Sequence, residues 1–157
     1  MSSDRITKLI SSLESLSTLS NKDNDDKVII ELSIEAKNYL LSHPWCSSIE
    51  EEWLGLSWGY ILCVFLFRIK SNYPDLDEYL WMVVGDIPPA YIDLGSTASA
   101  EEAIKCYIDI MNDWVFAVEN NKPVEDYYPV EVPSTSEYAS MLKSRLNLIE
   151  NELSGSL

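Results

Sequence analysis

The single histidine, His43, stands three residues ahead of Cys46, and the run His43-Pro44-Trp45-Cys46 sets a base beside a thiol. A cysteine nucleophile needs a base within hydrogen-bond reach and a third group to orient that base. The run supplies the two residue types and no orienter, so it reads first as a structural corner. As a metal pair, His43 and Cys46 lack two further ligands, because Cys63 and Cys106 fall within an expected strand and helix. Asp86 and Asp93 flank Pro88-Pro89 and offer a paired-carboxylate site, one as acid and one as base. The alternative is that each forms a turn, its carboxylate taking nearby backbone amides. Asp23 and Asp25 suggest a calcium loop, but no glycine holds its sixth position, and its twelfth is Ile34 where a bidentate glutamate is needed. The five glycines form neither GxGxxG nor GxxxxGKS spacing, so nucleotide binding has no support. The expectation is therefore no catalytic residue, no metal and no cofactor, with a hydrolase-like enzyme on Asp86, Asp93 or His43 as the alternative.

Two surfaces suggest binding instead. In the segment after Ser99, the residues Ile104, Tyr107, Ile108, Met111, Val115 and Val118 recur at helical spacing and define a core stripe. A turn of about 100° per residue then gathers Glu102, Asp109, Asp113 and Asn120 on the opposite side, with Phe116 at the edge. Such a face presents spaced negative charge and a flat apolar anchor, suited to a basic cleft that normally receives phosphates. The second surface is the loop 123–131, where Glu125, Asp126, Tyr127 and Tyr128 lie among prolines. Tyrosine adds contact area with little rotamer entropy to lose; the loop could equally be an arm whose tyrosines pack on the body. Trp53 and Trp58, beside Glu50-Glu51-Glu52, form a third acidic and aromatic cluster.

The elements that must hold these residues follow from periodicity. Ile6, Leu9, Ile10, Leu13 and Leu16 predict an amphipathic helix over about 3–19, broken by a polar linker near 20–27. A second helix carries Val28, Ile29, Leu32, Ala36, Tyr39 and Leu40 and ends before Pro44. Residues 59–69 read as a strand buried on both faces, 71–75 as a turn, and 79–84 as its antiparallel partner. Residues 85–89 end that strand at two prolines, and 91–94 add a short third strand. Ser99 with Glu102 has the form of a capping box opening a helix to about Glu119. After a proline-rich loop over 121–133, Ser134 to Glu137 repeats the signature before a last helix on Tyr138, Met141, Leu142, Arg145, Leu146 and Ile149. The expected fold is α+β: an antiparallel hairpin or small three-stranded sheet covered by about four helices.

The chain has 157 residues, enough for one domain with a sizeable core. Its 26 acidic and 11 basic side chains leave a net charge of −15, and residues 50–138 alone hold 17 acids against 4 bases. That field repels phosphate backbones and anionic lipid, so neither nucleic acid nor membrane is an expected partner. The longest apolar run, 60–67, is far short of the roughly 20 residues that span a bilayer. With no basic-then-apolar leader at the start of the sequence and three unpaired-looking cysteines, a cytoplasmic location is expected.

In this general character the chain resembles the small acidic immunity proteins that bacteria pair with contact-dependent or polymorphic toxins. The stretch 81–93, WMVVGDIPPAYID, also looks like a segment of uncharacterised bacterial proteins. The resemblance implies a cognate basic toxin, with a nuclease as one candidate, blocked by direct binding to a monomer or weak dimer. It transfers no site residue, since immunity proteins share no common motif. A structural adaptor is the third class of function left open.

Overall fold

The computed structural model describes residues 3–20, 23–74, 78–95 and 97–155. Helix α1 (Ser3–Ser11) leads to a two-residue strand β1 (Glu14–Ser15) and a 3-10 turn (Leu16–Thr18), then to helix α2 (Asn24–Leu41). Strands β2 (Cys46–Trp58), β3 (Leu62–Ser71), β4 (Tyr79–Gly85) and β5 (Ile87–Asp93) follow, then helices α3 (Ala100–Glu119) and α4 (Ser136–Gly155). The five strands form one antiparallel sheet in chain order, β1-β2-β3-β4-β5, so β3 sits at its centre.

The continuous apolar runs of β3 and β4 are explained by a core on each face. Leu62, Val64 and Leu66, with Trp81 and Val83, point into one cluster beneath α1, α3 and α4. The alternating set, Cys63, Phe65, Phe67 and Ile69 with Leu80, Met82 and Val84, points into a second cluster beneath α2. Strands half-buried against water alternate polar and apolar; strands covered twice cannot. The α+β class and the β3–β4 hairpin match expectation, while the sheet has five strands rather than two or three. The tip of that hairpin, 75–77, lies outside the described residues.

Three expectations are corrected. The helix expected over 3–19 stops at Ser11. Ile6, Leu9, Ile10 and Leu13 pack on the α3–α4 side, whereas Leu16 packs on the α2 side. One helical stripe thus reads across a chain that passes round the sheet edge. The linker near 20–27 is shorter than expected, because Asp23 caps α2, its carboxylate accepting from the Asp25 amide at 2.8 Å. The prolines do not break the sheet: Pro88 and Pro89 lie within β5, an edge strand, where a missing ladder donor costs nothing on the open side. Strand β2 went unread, since register shifts near Cys46, Ile49 and Leu54 interrupt its alternation.

Gly85 is required where β4 turns into β5. Its φ of 144° is open to glycine, and a Cβ there would stand 2.2 Å from the Ile61 carbonyl oxygen.

Candidate functional site

The expected outer face of α3 forms as drawn. Ile104, Tyr107, Ile108, Met111 and Val115 are buried, and Glu102, Asp109, Asp113 and Asn120 are exposed. Ser99 caps the helix, its hydroxyl accepting from the Glu102 amide at 3.2 Å, while the Glu102 carboxylate accepts from the Ala98 amide at 2.5 Å. Glu102 is thereby partly committed to its own helix, which leaves Asp109 and Asp113 as the freer charges. Phe116 is 52% exposed, with the Lys122 ammonium 5.1 Å from its ring centroid. A cation already lies on its face, so the ring meets a partner with its edge or after Lys122 moves.

The proline-rich loop contains a 3-10 turn, Val124–Asp126, whose Val124 packs into the core cluster beneath α3. Glu125 and Asp126 are exposed there, on a turn that packs against α3. None of the four ion pairs among the described residues involves Asp109, Asp113, Glu125 or Asp126. Three cations are instead held by other acids: Lys37 by Glu52, Arg68 by Glu51 and Glu78, and Arg145 by Asp86.

The two loop tyrosines part company. Both are partly buried, but only Tyr128 packs against the core cluster. Its hydroxyl meets that of Tyr39 at 2.7 Å and accepts from the Tyr91 amide at 3.1 Å. Burial, then the bond to Tyr39, raises the Tyr128 hydroxyl pKa above the usual tyrosine range. Tyr128 therefore anchors the loop to α2 and to β5, leaving Tyr127 with the contact surface.

The candidate chemical groups are not assembled. Asp86 precedes the first residue of β5 and Asp93 is its last, a separation of about 23 Å along an extended strand. Two carboxylates that far apart cannot share a substrate atom. The His43 Nδ1 lies 2.8 Å from the Tyr39 carbonyl, which only accepts, so this nitrogen carries the proton and donates. Its ring packs among Tyr39, Trp45 and Tyr91, and Cys46 is buried with its thiol donating weakly to the Ser48 carbonyl at 4.0 Å. Burial raises the Cys46 pKa, opposite to what a thiolate nucleophile needs. Of the acidic and aromatic cluster on β2, Trp53 is core and Glu51 and Glu52 hold Arg68 and Lys37.

No family model, curated protein or solved structure matches the chain. No residue inherits a role by likeness, and the functional reading rests on the geometry above. Sequence reasoning missed the cleft where Gly85–Pro89 faces α4, closed at its rim by the Arg145 Nε to Asp86 Oδ2 contact of 2.8 Å. The exposed apolar residues of α4 were its only signal.

Proposed function

We propose that the protein is an acidic binding protein of the immunity type, which neutralises a cognate basic toxin domain, of the nuclease class, by direct contact. The observation that carries this reading is the exposure of two sets of acids, Asp109 and Asp113 on α3 and Glu125 and Asp126 in the turn that follows it, outside the ion pairs that hold other acids. Fixed carboxylates on a helix speed encounter with a positive cleft and select against anionic partners. Tyr127 adds contact area beside Glu125 and Asp126 in the loop, and Tyr128 holds the loop in place, lowering the ordering cost of binding.

The reading predicts that tagged protein retains a single stoichiometric basic partner from its native cell, more firmly at low salt than at moderate salt. With that partner purified, Asp109→Lys combined with Asp113→Lys should slow association about tenfold and leave dissociation nearly unchanged. An empty capture at both salts, or an unchanged association rate, counts against the reading or against the site respectively.

A further inference from the structure

We infer that the cleft between α4 and the start of β5 seats a short amphipathic helix of the partner, with leucine-like side chains on one face and basic residues flanking them. The inference rests on the reading of the protein as a binder of a basic partner and names a second contact surface for it. Tyr138, Met141, Arg145 and Leu148 recur on α4 at steps of three, four and three, the spacing of a helix-packing seam. This seam is not buried by the fold: Tyr138, Met141 and Leu148 are 40%, 54% and 44% exposed. Tyr138 and Met141 line a cleft of about 340 Å³ whose opposite wall is Gly85 to Pro89.

The wall decides what form an occupant takes. An added strand needs free donors and acceptors along the open edge of β5. Pro88 and Pro89 have no N–H, the Pro88 carbonyl accepts from the Tyr107 hydroxyl at 2.6 Å, and the Tyr91 amide is taken by Tyr128. With these donors and this acceptor withdrawn beside the cleft, an occupant is better held by its side chains, and the three-four spacing on α4 matches those of a second helix.

Charge decides the occupant's sign. Asp86 gives one carboxylate oxygen to Arg145 and is 63% exposed, leaving the other for an incoming cation. Glu137 is exposed at the N-terminal end of the same seam. A second copy of the chain would bring the same acids and a further net −15 against them, which disfavours self-pairing.

The test is a ¹⁵N-labelled titration with a synthetic amphipathic peptide of about 14 residues, leucine on one face and lysine on the other, long enough as a helix to cover the seam. A second peptide carries glutamate in place of each lysine. The expected result is chemical-shift change concentrated at the amides of residues 85–87 and 138–148 with the lysine peptide alone. Met141→Glu, at an exposed position and with its fold checked by the same spectrum, should weaken binding about tenfold, while Asp109→Lys changes it less than about twofold. Absence of binding, equal binding of the glutamate peptide, or shifts centred on 109–113 that Met141→Glu does not alter would each overturn the seat. The last of these would leave the basic-partner reading standing, whereas an empty capture from the native cell strikes that reading and not the measured seat. A dimer of the free protein in light scattering that Met141→Glu dissociates would assign the seam to a second copy and overturn the inference as well.

Discussion

Polar groups inside the molecule find partners over long sequence distances. The Trp81 indole donates to the Thr97 hydroxyl at 2.9 Å, and that hydroxyl in turn reaches the Leu94 carbonyl, tying β4 to the chain that leads into α3. Among the described residues no buried side-chain nitrogen or oxygen lacks a partner. The Cys63 thiol faces the apolar α2 side, and burial, opposed by a backbone hydrogen bond at Trp58, pushes its pKa up to about 12 from an ordinary 9.0. In the unfolded chain the thiol loses its proton near pH 9, while in the folded chain it keeps it, so the native state binds the extra proton between these values. Stability contributed this way is whole below pH 9 and is lost as pH rises towards 12, with a slope of at most about 1.4 kcal/mol per pH unit. Cys63→Ala should flatten the alkaline decline in unfolding free energy between pH 9 and 11, at some packing cost at every pH. Urea unfolding at a series of pH values measures both; parallel curves for the two proteins would show that Cys63 does not drive the decline.

At the level of elements, caps and coverage determine what could be read in advance. Helix α3 was legible because its stripe is strictly periodic and Ser99 and Glu102 mark its start. The same box drawn at Ser134 was one residue early, since Thr135 makes the capping bond, to the Tyr138 amide at 3.3 Å. Ser99→Ala should cost about 1 kcal/mol and lower the melting temperature by about 2–4 °C for a chain of this size. Calorimetry decides it, and an unchanged melting temperature would mean that the Glu102 bond to Ala98 holds the turn alone. β3 and β4 were legible from composition, because two cores demand unbroken apolar runs. β2 was hidden by its bulges and by three successive glutamates, features that discourage the length of β2 left uncovered by the two-residue β1 from pairing with another chain. The opposite edge uses other means, two prolines in β5 and the Tyr128 hydroxyl on the Tyr91 amide. Of the candidate site, the acidic α3 face could be drawn from spacing alone. The inward turn of Tyr128, and the pairing of Asp86 with Arg145 across 59 residues, depend on tertiary placement that no local pattern records.

For the whole molecule, the acids that suit a basic partner also oppose one another. A net charge of −15 on one compact chain raises the energy of the folded state more than that of the expanded unfolded state, because folding brings like charges closer. Lys37, Arg68 and Arg145 offset this locally in ion pairs at the surface, where solvent screening keeps each contribution small. The α3 face and the turn after it have no such offset among those pairs, so they carry the repulsion that a bound cationic partner would relieve. Screening should substitute for the partner, since the Debye length falls from about 30 Å at 0.01 M salt to about 8 Å at 0.15 M. The melting temperature should therefore rise by several degrees over that range in sodium chloride. Asp109→Lys with Asp113→Lys, which brings the net charge to −11, should raise the low-salt value and shrink the salt response. The pair of substitutions thus separates two consequences of one surface: a more stable free protein and a slower encounter with its partner. If the double variant melts lower than the parent at low salt, these carboxylates stabilise the fold instead, and slower binding by the variant could then reflect a damaged domain rather than a lost electrostatic contact.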